Sequence, residues 1–354
     1  MMTNTSQQDI KTAARLTTYS AISTELALLS DQHLLALLEK AEPLGSSICG
    51  ATFLLKIKET PVFVKKIRVT DIEMQPNNVM STANLFDLPT YFQYGIGSQG
   101  FGAWRELAVH TMTTNWVLAS ECMNFPMMYH WRVLPRPQHE EQTQQALNEI
   151  EKDVAFWEGS QAVRGRMLAS LQASTEIVLF LEHMPENLHQ WLQRQIAQGG
   201  EAAESACTMV EKNLHTITSF INSHGLLHFD AHFWNILTDG HCLYFSDFGL
   251  AISDRFELSG AELDFFKQHH NYDSCYIMAF FVCYILRESF GAENYDTILY
   301  EFATGKSTKT LSPALAAIVT RYAPMTEVMN KFHKALKTES KETPYPVHEL
   351  ELLS

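Results

Sequence analysis

Apolar residues fall in short, strand-length runs through the first half of the chain and in longer, helix-spaced groups through the second. In "PLGSSICGATFLLKIKETPVFVKKI", apolar segments flank a glycine-containing loop. Alternation then puts Phe63 and Lys65 on one face of a strand and Val64 and Lys66 on the other. "AWRELAVHTMTTNWVL" predicts a helix. Ile177 to Leu181 is a continuous apolar run that predicts a buried strand, followed by a turn at Pro185 and a helix starting over Leu188 to Leu192. "AESACTMVEKNLHTITSFINSHG" is an amphipathic helix ending at Gly225. "HGLLHFDAHFWNIL" then reads as an apolar segment, a polar loop and a short strand, and "HCLYFSDFG" as the facing strand of a hairpin turned by Asp239-Gly240. "CYIMAFFVCYIL", at 275–286, is too short to span a bilayer and predicts a buried core helix.

These elements group into four parts. Residues 1–40 read as a polar leader with one or two helices, Asp31 serving as a possible cap for "QHLLALLEK". Residues 41–183 hold the strands and the helix around Glu106. They include a charged, Gln- and Glu-rich helical insertion at 138–172, expected to be a helical accessory on the upper lobe, used for partner or substrate contact rather than chemistry. Residues 184–338 are mainly helical around the hairpin, and 339–354 have the proline and charge content of a flexible tail. A chain of 354 residues with 46% hydrophobic content can bury the core of two lobes sharing a cleft. The fold class expected is α+β.

The hairpin carries the chemistry. It brings Asp230, Asn235 and Asp247 to one end of two paired strands. There one carboxylate can accept a hydroxyl proton, while an amide oxygen and a second carboxylate can hold Mg²⁺ on a nucleoside triphosphate. The pattern HxDxxxxN followed by DFG resembles the catalytic and metal loops of the protein-kinase superfamily. That resemblance covers roughly 41–300 and implies a bilobal fold: an antiparallel N-lobe sheet with an αC helix, and a mainly helical C-lobe.

It also implies ATP and Mg²⁺ as cofactors, with Asp230 as catalytic base or hydroxyl-orienting group and Asn235 and Asp247 as metal ligands. Gly45, Ser47 and Gly50 resemble the glycine-rich loop, with Ser47 where the middle glycine would stand. Lys65, in "VFVK", resembles the strand lysine that binds the α and β phosphates, and alternation favours it over Lys66. Glu106 is open to two readings, partner of Lys65 or a first-turn glutamate favoured by the helix dipole. In the kinase-like arrangement Leu181 is the gatekeeper, with the Glu182 carbonyl and the Met184 amide offered to the adenine edge. Asp273 resembles the aspartate that anchors the catalytic loop from below.

Several positions depart from the pattern. Phe229 replaces the arginine of HRD, which removes the pocket for a phosphorylated activation loop. His232 stands where Ser/Thr kinases carry a lysine; it either contacts the transferred phosphate or holds the loop backbone. The Asp-x-His form is similar to aminoglycoside phosphotransferases and choline-kinase-like enzymes. No APE sequence follows Asp247. A second glycine pattern, Gly95-x-Gly97-x-x-Gly100, fits a dinucleotide fingerprint but lacks the strand before it and the acidic residue after it, so it reads as a flexible loop feeding the next helix.

Composition narrows the remaining choices. A formal net charge of -14 disfavours nucleic acid and anionic membranes as main partners. Six cysteines without a CxxC pair argue against a disulfide framework or structural zinc and for a reduced compartment. The first thirty residues lack the apolar core of a secretory signal, so a cytoplasmic protein is expected, with export by dedicated secretion machinery left open. The leading functional expectation is a Ser/Thr-type protein kinase. A small-molecule kinase and a catalytically silent pseudokinase scaffold are the alternatives.

Overall fold

Side-chain parity along the strands decides how the N-terminal half is layered. In the computed structural model, which describes residues 7–47, 50–136, 144–293 and 295–353, helices α1 (Gln7–Ala27) and α2 (Asp31–Leu38) precede strands β1 (Glu42–Ser47), β2 (Gly50–Ile57) and β3 (Thr60–Val69). Helix α3 (Ala103–Leu118), β4 (Met128–Pro135), helices α4 (Gln144–Phe156) and α5 (Gln161–Gln172), and β5 (Thr175–Glu182) follow. The strands form one antiparallel sheet in the order β1-β2-β3-β5-β4. Ile67, Val69, Ile177, Leu179 and Leu181 pack against Trp104 and Leu107 of α3. Val62, Val64, Val178 and Phe180 pack on the other side with Ile22 and Leu26 of α1 and Leu34 and Leu38 of α2. The sheet is thus covered on both faces, and the leader helices are part of its core. The cap of α2 is Ser30, whose hydroxyl accepts from the His33 amide, while Asp31 is the first residue of the helix.

The long stretch between β3 and α3 and the 138–172 insertion form one structure. Leu88, Phe92 and Phe101 pack with Ile150 and Val154 of α4, Trp157, and Val163 and Met167 of α5. The insertion is helical over 144–156 and 161–172, its residues 138–143 lying outside the described ones. Each of its helices turns a narrow apolar face into this cluster, Ile150 and Val154 from α4 and Val163 and Met167 from α5, and leaves most of the charged residues of α4 outside. Glu73 ties the two stretches to α3. It accepts from the Ala103 amide at 2.7 Å and pairs with Arg166 of α5 at 3.2 Å, with both side chains buried. Gly102 offers α3 no side-chain cap, so this distant carboxylate satisfies an N-terminal donor and complements the helix dipole.

The C-terminal half contains β6 (Glu186–Asn187), α6 (Leu188–Gln198), α7 (Gly200–Ser223), β7 (Leu226–Leu227), β8 (Ile236–Thr238), β9 (Leu243–Phe245) and β10 (Ile252–Ser253). Helices α8 (Gly260–Gln268), α9 (Tyr272–Phe290), α10 (Tyr295–Ala303), α11 (Pro313–Thr338) and α12 (Val347–Glu351) complete it. The apolar run at 275–286 lies within α9, where Phe281, Val282 and Ile285 are fully buried. Among the described residues no single helix is long and apolar enough to cross a membrane. The expected flexible tail instead packs down: Leu350 is buried, and Tyr345 stacks on His269 and donates to Asn271. Its charged residues hid two apolar anchors.

Candidate functional site

The β8–β9 hairpin sets the site. Ile236 pairs with Phe245, so Asn235 just before one strand and Asp247 just after the other emerge at the same end. At the opposite end the Asp239 carboxylate accepts from the His241 and Cys242 amides, and Gly240 takes a φ of 84° that suits glycine.

Ahead of the hairpin, the loop carrying Asp230 is fixed from beneath. Asp273, at the start of α9, accepts from the His228 amide at 2.5 Å and the Phe229 amide at 2.9 Å. The buried His228 is neutral, its pKa lowered to about 4 by burial. Its Nε2 lies 3.0 Å from the Ser246 carbonyl, which bridges the loop to the hairpin. Phe229 holds a φ of 62° and Asp247 one of 60°, uncommon for side-chain-bearing residues. Phe229, standing where an arginine was looked for, stacks on Tyr272 at 4.5 Å and on Phe265 at 5.5 Å.

Lys65 reaches this end from β3. Its ammonium lies 2.7 Å from Glu106 of α3 and 2.7 Å from Asp247. Lys66 is on the other face, 2.8 Å from Glu176. Burial opposes the charge on Lys65, but Asp247 and Glu106 outweigh it and raise its pKa above the ordinary value. For Asp247 burial pulls upward and loses to the same ammonium, leaving its pKa at about 2. Asp230 goes the opposite way. Burial, then the nearby Asp247 charge, push its pKa to about 8, against the pull of a 3.0 Å hydrogen bond from the Asn235 amide. Two carboxylates in one site are thereby pushed in opposite directions, Asp247 toward its anion and Asp230 toward its protonated form.

A cavity of about 360 Å³ opens beside these groups. It is lined by Thr52, Lys65, Leu181, Asn235 and Asp247 and by the run from Glu182 to Asn187, which includes Met184. Gly45 and Ser47 lie on β1 and Gly50 opens β2; the tip between them, residues 48–49, lies outside the described residues. A Cβ at Gly50 would come 1.7 Å from the Lys66 carbonyl oxygen, so close passage of β3 already requires glycine there. His232 sits with Nε2 3.8 Å from Asp230, its pKa lowered by burial.

Three features of the site had little or no signature in the sequence. Arg15 of α1 grips the Glu182 carboxylate through two bonds of 2.8 and 2.7 Å and donates to the Met123 and Phe125 carbonyls. Trp234, half exposed at the cavity mouth, stacks on His189 at 4.1 Å; a large aromatic inside a polar loop was its one visible signal. Gly95, assigned to a flexible loop, instead packs against Asp230. No protein-family model and no curated protein matches this chain.

The donor set can be tested against a metal. Among the described residues no cluster of three His, Cys, Asp or Glu side chains could hold an ion. Magnesium does not need one, because it retains waters and phosphate oxygens and takes one or two protein ligands. The partly exposed Asp247 carboxylate, kept ionised by Lys65, fits that requirement together with the Asn235 amide oxygen.

Proposed function

We propose that this chain is an ATP- and Mg²⁺-dependent phosphotransferase with a bilobal, protein-kinase-like fold, acting on a hydroxyl group, with protein Ser/Thr as the leading acceptor. One observation carries the reading. A single buried lysine is held 2.7 Å from both Glu106 and Asp247, in the same cavity as Asn235 and one loop away from a carboxylate of raised pKa. When bound, Mg²⁺ would supply charge neutralisation to the phosphates from Asn235 and Asp247. Lys65 stays cationic through its two carboxylates and offers that charge to the nucleotide. Asp230 orients the acceptor hydroxyl and takes its proton in its ionised form, whose share grows as the pH rises through about 8. The backbone of Glu182 and Met184 offers hydrogen bonds to a base edge, Arg15 holding the Glu182 side chain aside.

A second reading, a small-molecule kinase, is favoured by the acceptor side. Between Asp247 and α8 the chain makes only the two-residue β10, and Gly95 packs close on Asp230, leaving little platform for an extended peptide. Incubating purified protein with γ-labelled ATP, a protein mixture and a panel of hydroxylated small molecules tests both. Label in protein supports the first reading and label in a small molecule the second. Nucleotide binding without transfer to any fraction would point to a scaffold, and no Mg²⁺-dependent nucleotide binding would overturn the proposal.

A further inference from the structure

Gly95 lies where no other residue fits without moving the carboxylate next to it. A Cβ built there comes 2.4 Å from Asp230 Oδ1 and 3.2 Å from its Cγ, closer than Cβ atoms normally approach. The Phe229 carbonyl, at 3.3 Å, closes a further side. The same segment touches the other loop, since a Cβ at Gly100 would fall 2.2 Å from the Gly249 carbonyl oxygen. Its backbone therefore runs along both loops that bear the candidate catalytic and metal-binding carboxylates.

This segment cannot easily give way. Gln93 donates to the Leu250 carbonyl, and the Tyr94 hydroxyl lies 2.6 Å from His269 of α8's C-terminal end. Tyr94 also packs edge-on against Phe265 and Phe332. Behind it, Phe92 and Phe101 are anchored in the cluster shared with α4 and α5. On the far side Arg105, beside Glu106, makes a buried 2.6 Å ion pair with Glu262 of α8. A wall braced this way transmits displacement instead of absorbing it.

We propose that residues 95–100 form a fixed wall of the acceptor site and that Gly95 is a positioning residue for Asp230. This rests on the phosphotransferase reading. The missing side chain leaves the Asp230 carboxylate in the orientation that Asn235 supports, and it sets the room available to a hydroxyl beside it. A glycine required only for chain passage would act on folding alone. A positioning glycine acts on turnover through Asp230 and leaves the nucleotide, which contacts other residues, unaffected.

The test compares wild type, Gly95→Ala, Asp230→Asn, the double variant Gly95→Ala/Asp230→Asn, and Gly165→Ala, whose Cβ meets nothing within 4 Å. Each is assayed for γ-phosphate release or transfer from labelled ATP and for Mg·ATP binding. Gly95→Ala should lower kcat by roughly 10–100-fold, the cost of misplacing a catalytic group by about 1 Å. The nucleotide KM should stay within about twofold, and Gly165→Ala should match wild type. In the double variant the two losses should not multiply, because both act through one carboxylate. An active wild type with an unimpaired Gly95→Ala overturns this proposal and leaves the phosphotransferase reading standing. So do losses that multiply. A wild type that neither binds nor turns over ATP overturns the phosphotransferase reading and this proposal with it. If Gly95→Ala fails to fold, Gly95→Ala/Asp230→Ala decides. Recovery of the melting temperature shows that the collision is with the Asp230 carboxylate, and continued failure removes the proposed contact.

Discussion

The two sides of the cleft are built on opposite principles. On the Lys65 side, charged groups from β3, α3 and the hairpin converge on an open cavity. They satisfy one another: Lys65 pairs with both Glu106 and Asp247 at the edge of that cavity. On the acceptor side, Asp230 faces glycine backbone instead of a charge partner, and a wall braced by aromatic packing fixes the space around it. One side is held by ion pairs and the other by packed rings. A site can therefore be electrostatically adaptable toward one reactant and sterically rigid toward the other, because ion pairs rearrange without repacking whereas buried rings do not.

The largest effect that would break this contrast lies in the charged set. Lys65→Met and Asp230→Asn are each expected to lower turnover by about 10²–10⁴-fold, on the order of 3–5 kcal/mol of barrier. Lys66→Met, which loses only a pairing with Glu176 on the other sheet face, should be far milder. Equal effects of the two lysine variants in a transfer assay would mean that the cavity side of β3 is not the working side.

The bracing of the acceptor wall is the next target. Arg166→Met leaves the buried Glu73 carboxylate at the start of α3 without its cation, a loss of about 3–5 kcal/mol in unfolding free energy. Urea titration measures it. Unchanged stability would show that the Glu73–Arg166 pair does not brace the start of α3.

A more moderate change separates metal from lysine. In Asp247→Ala, Mg²⁺ should no longer strengthen ATP binding, while Lys65 keeps its 2.7 Å pairing with Glu106 and residual metal-free binding persists. Calorimetry with and without Mg²⁺ reads this directly, and an intact Mg²⁺ response would exclude the hairpin as the metal site.

The smallest expected effect is acid sensitivity of the wall. His269 is neutral when folded, its pKa lowered to about 4 by burial, against about 6.5 in the unfolded chain. Between those values the unfolded state binds the extra proton, so this contribution to stability falls as pH drops from about 6.5 to 4. The slope is about 1.4 kcal/mol per pH unit. His269→Gln should reduce the difference in unfolding free energy between pH 7 and pH 5. A variant as acid-sensitive as wild type would show that the Tyr94–His269 contact does not carry it.

Legibility followed contact range. The hairpin, the opposite faces of Lys65 and Lys66 and the buried core helix were all readable, because motif spacing, strand alternation and an uninterrupted apolar run are local properties. Glu106 is open to two readings in the sequence, and its 2.7 Å contact makes it the partner of Lys65. The Arg15–Glu182 clamp, the Glu73 cap on α3 and the burial of the insertion left no local trace. Each joins segments that nothing in the sequence marks as neighbours, through residues that read elsewhere as ordinary surface charges.

By itself the sequence determined which residues could do chemistry: a DxxxxN loop, a following DFG, and a strand lysine whose face is set by a two-residue period. Tertiary structure alone decided what surrounds them. Lys65 meets Asp247 across a separation of 182 residues, and Gly95 meets Asp230 where the stretch that carries it packs into an apolar cluster shared with α4 and α5. Side-chain identity and period are fixed by covalent order. The close approach of distant backbones depends on how buried surfaces interlock, and that is a property of the folded whole.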